Sequence, residues 1–381
     1  MLPRPRISVV IPYFNRLPYI ERVLQSLAEQ DAATDQLEIV IVSLEYSAAL
    51  LKVVSSLPEG LKVRCVLVRE PWNVSRARNV GFANASGEVV LLLDSDMLLP
   101  RSFMSKLIGE HDPSGKRAVV VCQMLNYSAY TDVLTEELGE YSYYRDTYLA
   151  RNCREGLRND SRWDSARSIP WSLCWTALLA VPRDLVARHS LYFDETFTGW
   201  GAEDLEWGYR LQQEGISLEF ADDLWGIHLP HFRNVRKNSN EQELNYDRFL
   251  RKWPCFEVEL VTRFGDAFAN EHFREFVDVR QLMCGRGQSV NVVEIAACGA
   301  RRLAIGAICD KDGRWLNCTE ILDDPGAVVT RWAPLLGLRL PYPSKYADAS
   351  YVLPAVRNAP SNVQTLIESE VDRVSQRTIL C

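Results

Sequence analysis

No stretch of this 381-residue chain approaches the ~20 consecutive apolar residues that a membrane-spanning helix needs. The apolar run from Ile7 to Ile11 stops at Pro12 and is too short for the core of a secretion signal. No lipid-anchor motif or basic amphipathic helix stands out. Cysteine is present ten times, at 65, 122, 153, 174, 255, 284, 298, 309, 318 and 381, but no CxxC pair occurs and the spacing fits no zinc-ligand pattern. Scattered single thiols without a leader lead us to expect reduced cysteines in a cytoplasmic protein. Basic charge is short too. With 43 Lys and Arg against 50 Asp and Glu the net charge is −7, so the chain lacks the positive field that holds nucleic acid or an anionic membrane. An acidic protein that bound a diphosphate would need local neutralisation, by a divalent metal and one or two arginines.

What is present is an ordinary soluble composition, 47% hydrophobic and 24% charged. The length suits one large domain and a smaller one. Ile7–Ile11, Leu37–Val42, Val63–Val68 and Val89–Leu93 read as buried strands, separated by helical spacing in Leu17–Gln30, around Ala48–Ser56 and in Arg76–Ala85. Such alternation predicts an α/β, Rossmann-like, mostly parallel sheet flanked by helices, with ligands at the carboxyl ends of its strands. Residues 126–170, rich in tyrosine and charge, read as a helical excursion or a mobile loop. Order resumes with a strand at Leu178–Val181, a helix at Ala202–Glu214 and a strand at Ser217–Ala221. After Pro254 the character changes, and Val290–Ala296 and Leu303–Ile308 suggest a small α/β or mixed unit. We expect domains at 1–265 and 266–381, the second an accessory module that shapes an acceptor site, contacts a carrier or mediates homodimer formation. Its MCGRGQ turn does not complete a dinucleotide fingerprint.

Four segments carry candidate chemistry. Asp94-Ser95-Asp96 directly follows the run VVLLL. Alternate positions of an extended chain point the same way, so the two carboxylates can face one hard cation. Standing alone, the triplet also reads as a solvated turn. Gly199-Trp200-Gly201-Ala202-Glu203-Asp204 opens a helix. Its glycines permit close backbone approach, Trp200 offers a flat face to a sugar ring, and the acids suit the positive end of the helix dipole. Acids decorate many first helical turns, but the Gly-Trp-Gly prefix goes further. Two of the chain's five histidines, His228 and His231, lie within four positions. Either could complete a metal shell with Asp96, or be a packed or surface residue. In Asn73–Gly81, Arg76 and Arg78 are too close to share a helical face, so one can meet a phosphate while the other is solvated. Trp163, Trp171, Trp175 and Trp200 suit a saccharide acceptor, a peptide, an aglycone or simply a core.

Taken together, SVVIPYFNR, NVSRARNVGFANASGEVVLLLDSDMLLP and LLAVPRDLVARHSLYFDETFTGWGAEDLEWGYRLQQEG resemble family 2 glycosyltransferases of the GT-A fold, over about residues 7–235. The third segment is also similar to galactosyltransferases and chondroitin polymerases. The resemblance implies that Pro12, Tyr13 and Asn15 line a base and ribose pocket, and that Arg78 contacts the nucleotide or its diphosphate. It implies that Asp94 and Ser95 lie against the donor, that Asp96 and His228 or His231 ligate Mn2+ or Mg2+, and that Asp204 is the catalytic base. Glu203, with Trp200 and Gly201, would hold the acceptor or donor hydroxyls. Where the family carries an acidic pair after the second strand, this chain reads IVIVSLEYS, which leaves Glu45 as the candidate base reader and UDP-sugar as the default donor. One base opposite the leaving group implies inversion. Two rivals are a nucleotidyltransferase, which would show a basic glycine-rich loop after its first strand, and a non-catalytic sugar-nucleotide scaffold, which would need no base.

Overall fold

The run at the N-terminus forms strand β1 (Ile7–Tyr13), buried along its whole length. Its odd and even residues serve two different cores, as the two-residue period of a strand dictates. Ile7, Val9, Ile11 and Tyr13 pack with Ile20, Val23, Leu24 and Leu27 of the helix Leu17–Ala28. Val10 packs on the other face with Ala77 and Phe82 of the helix Val74–Asn84. A strand covered on both sides has no solvent face to mark with polar residues, which is why it reads as an unbroken apolar run.

In this computed structural model the described residues are 5–127, 138–318, 321, 324 and 326–381. They gather into two compact units, one of residues up to Asp164 with Pro170–Asn245, the other of Ser165–Ile169 with Tyr246–Cys381. Among the described residues no helix is long and apolar enough to cross a membrane.

The first unit is built on β1, β2 (Leu37–Ser43), β3 (Lys62–Leu67), β4 (Val89–Leu93), β5 (Met97–Leu98), β6 (Val119–Leu125), β7 (Leu178–Pro182) and β8 (Leu218–His228). They form one eight-stranded sheet in the order β3-β2-β1-β4-β7-β6-β8-β5. Pairing is parallel from β3 to β4 and again between β6 and β8, and antiparallel on both sides of β7 and at β5. The last strand runs well past the expected Ser217–Ala221. Asp222 and Asp223 break the apolar pattern, but the register shift between Val121 and Gln123 carries the pairing past them to Ile227. Of the segment 126–170, residues 128–137 lie outside the described residues; the rest holds short helical turns at Tyr141–Tyr144, Arg145–Leu149 and Ser161–Asp164.

The second unit holds a five-stranded sheet. Strands β9 (Gln288–Ala297) and β10 (Ala300–Asp310) form an antiparallel hairpin, turned by Cys298 and Gly299, both at positive φ. With β11 (Val328–Ala333), β12 (Ala349–Val352) and β13 (Thr378–Leu380) the order is β11-β9-β10-β12-β13. Glu259, wholly buried, accepts the backbone N–H groups of Leu336, Gly337, Leu338 and Arg339.

Two contacts among those that seat the helix Glu203–Gln213 within the first unit show how closely it packs. Trp207, fully buried, donates its indole N–H to the Leu191 carbonyl at 2.8 Å. Gly208 lies so close to the segment before it that an added Cβ would sit 2.5 Å from the Trp171 carbonyl oxygen and 2.8 Å from Cys174 Cβ. Backbone cannot yield as a side chain can. Gly208→Ala is therefore expected to cost about 1–2 kcal/mol, overpacking outweighing the gain in helix propensity. Urea denaturation monitored by tryptophan fluorescence checks this.

Candidate functional site

Arg78 joins two of the sequence motifs. It sits on the helix Val74–Asn84, whose N-cap Asn73 accepts the Arg76 N–H at 3.0 Å. That helix is stitched to the segment before the acidic helix: Asn79 accepts the Phe193 N–H at 2.7 Å and donates to the Phe193 carbonyl and Glu195. The Arg78 guanidinium, 3% exposed, lies 5.3 Å over the Phe193 ring and reaches Asp94 at 3.3 Å and Glu203 at 3.1 Å. Arg76 takes the other course, pairing with Glu70 and Glu195 at the surface. Burial acts against the charge on Arg78, but Asp94, Glu203 and Asp204 outweigh it and hold the guanidinium firmly protonated. Asp94 is pushed above its ordinary value by burial and by Asp96 and Glu203, with Arg78 opposing.

Two residues on, Asp96 enters a different setting. A short antiparallel ladder pairs Met97 with His228 and Leu98 with Ile227, and the Leu229 N–H donates to the Asp96 carbonyl at 2.8 Å. Backbone pairing thus lays the histidine segment beside the aspartate. His228 Nε2 is 3.8 Å from Asp96 Oδ1 and His231 Nδ1 is 3.3 Å from Oδ2. The three side chains offer ligand atoms all within 4.8 Å of one another. Asp96 Oδ1 is buried and has no hydrogen-bond partner among the described residues. Burial would raise Asp96, but His228, His231, Arg16 and Arg233 hold it below the usual carboxylate value. Burial, with those arginines, pulls His228 down to about 3 and His231 to about 4, against the pull of Asp96. Both rings are therefore neutral near pH 7, the form that donates a lone pair to a cation.

The Gly-Trp-Gly loop is held in left-handed backbone, with φ of +78° at Gly199, +91° at Gly201 and +69° at Ala202. Buried Asn245 donates to the Thr198 carbonyl at 3.0 Å and the Gly201 carbonyl at 2.9 Å, and Glu241 accepts the Trp200 N–H at 2.9 Å. A Cβ at Gly199 would sit 2.7 Å from the Glu241 carboxyl, a side-chain end that can shift, so the glycine is needed chiefly for its positive φ. Glu203, Asp204 and Glu206 follow in the first helical turn, where the dipole favours them. Trp200 is half-buried, and Asp204 accepts the Leu205 N–H at 2.9 Å.

The remaining predicted residues gather beyond β1 and β2. Pro12 and Tyr13 are buried at the end of β1. Exposed Asn15, at φ +49°, donates its backbone N–H to Glu45 Oε1 at 2.7 Å, and the Ser43 hydroxyl donates to the Glu45 carbonyl at 2.6 Å. Ser95 is buried between the two acids. Sequence reasoning missed Arg16, 3.9 Å from Asp96, and Arg233, which touches both histidines. Arg16 closes the quoted segment SVVIPYFNR without having been given a role, and Arg233 lies two residues after His231; that position was the available signal. It also missed Glu241 and Asn245, which nothing in their local sequence marks, and the partly exposed rings of Phe14 and Trp72, 5.6 Å apart.

Comparison with known proteins adds four findings. The family model described as glycosyl transferase family 2 matches residues 8–161. Over 390 aligned residues the chain is 30% identical to validoxylamine A glucosyltransferase of Streptomyces hygroscopicus subsp. jinggangensis (strain 5008), covering 90% of this chain and 89% of that one. It is 23% identical over 248 residues to the chondroitin synthase of Pasteurella multocida (strain Pm70), covering 58% of this chain and 24% of that one. Among solved structures, mannosyltransferase PcManGT from Pyrobaculum calidifontis, in complex with GDP-Man and Mn2+, aligns at a TM-score of 0.47 and 19% identity, covering 70% of this chain and 72% of that one.

The two arginines of the helix Val74–Asn84 should respond differently to truncation. Arg78→Ala leaves Asp94 and Glu203 without their shared cation, and is expected to cost about 1–3 kcal/mol. Arg76→Ala removes surface pairs and is expected to cost under about 1 kcal/mol. Urea denaturation of both variants beside the parent measures the difference.

Proposed function

The chain belongs to glycosyltransferase family 2 and has the family's GT-A fold, and from that premise we propose that it is a metal-dependent, inverting hexosyltransferase that uses a UDP-sugar. The observation that carries the reading is the single Arg78 guanidinium shared by Asp94 of the DxD motif and Glu203 of the acidic helix, with Asp204 next in the chain. This arrangement joins a donor-side acid to an acceptor-side acid, which a nucleotide-binding scaffold has no need to do.

The donor set at Asp96 suits a divalent cation: a carboxylate with one unpartnered buried oxygen and two neutral imidazoles. Asp96 with His228 or His231 would hold Mn2+ or Mg2+, which when bound supplies positive charge for the departing diphosphate. The chain's own groups do the rest. Arg78 keeps Asp94 and Glu203 in place against the donor and the acceptor hydroxyls. Asp204 takes the proton from the acceptor hydroxyl as that oxygen attacks the anomeric carbon from the face opposite the leaving group, which inverts the configuration. Trp200 and Gly201 form the floor for the acceptor. Pro12, Tyr13 and Asn15 line the nucleoside pocket, where Glu45 reads the base and Ser95 lies along the donor. We confine this chemistry to residues 1–265 and give 266–381 an accessory role in shaping the acceptor side or forming a homodimer.

The names of the relatives support a hexosyl donor, and they favour a small natural product or a saccharide over a peptide as acceptor. UDP-glucose is accordingly the first donor to try. Incubation with UDP-sugars and Mn2+ is expected to release UDP, to stop on chelation with EDTA, and to fall about 10²–10⁴-fold in Asp204→Asn while UDP affinity is kept. Equal turnover by Asp204→Asn would remove the base assignment. Pyrophosphate release from a nucleoside triphosphate and a sugar phosphate would instead favour a nucleotidyltransferase. An α-linked product from an α-linked donor, read from the anomeric proton by NMR, would overturn inversion.

A further inference from the structure

Resting on the metal reading above, we propose that Arg233 competes with the divalent cation for His228 and passes to the donor's diphosphate, so that cation and nucleotide binding are coupled through this one side chain. Arg233 is 9% exposed. Its Nη2 lies 3.1 Å from His228 Nε2, its Nε donates to His231 Nε2 at 3.2 Å, and the Tyr127 ring lies 4.6 Å from its guanidinium carbon. An imidazole nitrogen that accepts an N–H has its lone pair occupied and cannot give that pair to a metal. His228 Nε2 is also the nitrogen that faces the unpartnered Asp96 Oδ1. At His228 the guanidinium and a cation therefore claim the same electrons, whereas on His231 the nitrogen that faces Asp96 is Nδ1 and Arg233 holds Nε2.

Two further features point to where Arg233 goes. Its Nη1 is buried without a hydrogen-bond partner among the described residues. A buried donor in that condition calls for an acceptor that the described residues do not supply. Arg16, 3.9 Å from Asp96, adds a second positive charge near the same carboxylate. Two guanidiniums around one aspartate repel a divalent ion unless an anion comes between them. A diphosphate meets all three needs: its oxygens suit the planar fork of arginine, it satisfies Nη1, and it draws Arg233 from the imidazoles. By linkage, whatever the diphosphate gains from the cation, the cation gains from the diphosphate.

The test measures Mn2+ affinity without nucleotide, by electron paramagnetic resonance of free Mn2+, and UDP affinity at saturating Mn2+, by calorimetry. The proteins are the full-length parent, Arg233→Ala, Arg233→Lys and Asp96→Asn, each checked for folding by circular dichroism. Arg233→Ala is expected to bind Mn2+ alone about tenfold more tightly and UDP about tenfold more weakly, with a smaller effect of UDP on Mn2+ affinity than in the parent. Arg233→Lys, with one nitrogen group in place of a fork, should fall between, and carries the test if the alanine variant does not fold. Mn2+ affinity unchanged or weakened in the folded Arg233 variants would overturn the competition, and unchanged UDP affinity would overturn the diphosphate contact. If the parent binds Mn2+, Asp96→Asn loses it and Arg233→Ala binds no tighter, this inference alone fails. If neither the parent nor Arg233→Ala binds Mn2+, with or without UDP, the metal reading fails and this one with it.

Discussion

The two-residue ladder between Met97–Leu98 and Ile227–His228 is the constraint on which the candidate site depends. It is a matter of backbone hydrogen bonds, and it fixes where the DSD turn and the HLPH segment meet before any side chain is considered. With the Leu229 N–H on the Asp96 carbonyl, the turn cannot drift from the strand that ends in His228. The close approach of the three ligand atoms is a consequence of that pairing.

Charge does the second part of the work. Asp94 and Asp96 are two residues apart and would repel each other in a buried turn, yet each has its own cationic surroundings. Asp94 is tied to Arg78, and Asp96 is ringed by His228, His231, Arg16 and Arg233. The first grouping leads to Glu203, on the proposed acceptor side, and the second forms the proposed leaving-group side. A chain with a net charge of −7 thus places Arg16, Arg78 and Arg233 around the two acids, where an anionic donor would sit. The backbone of the Gly-Trp-Gly loop is held by Asn245 and Glu241, so the acids that follow it start from a fixed point.

Much of this was legible in the sequence because the first unit's strands are covered on both faces. Val9, Val10, Ile39, Val40, Leu91 and Leu92 leave no polar alternation to confuse the reading. The motif residues were legible because each stands at the end of such an element. What could not be read was anything that depends on long-range register. Asp222 and Asp223 hid the second half of β8, since an irregularity in pairing has no local signature. Arg233 was marked only by its nearness to the histidine segment, because its contacts with the two histidines are set by the fold. Glu259 looks like any helical glutamate until the loop 336–339 is seen to close over it.

The most direct measurement is a crystal structure of the full chain with UDP and Mn2+. A single Mn2+ bound by the Asp96 carboxylate and a histidine of the HLPH segment at about 2.0–2.3 Å, with diphosphate oxygens completing its shell, is the expected result. A well-ordered UDP with no metal at Asp96, or with metal held only by Asp94 and Glu203, would contradict the division of the site into a leaving-group side and an acceptor side.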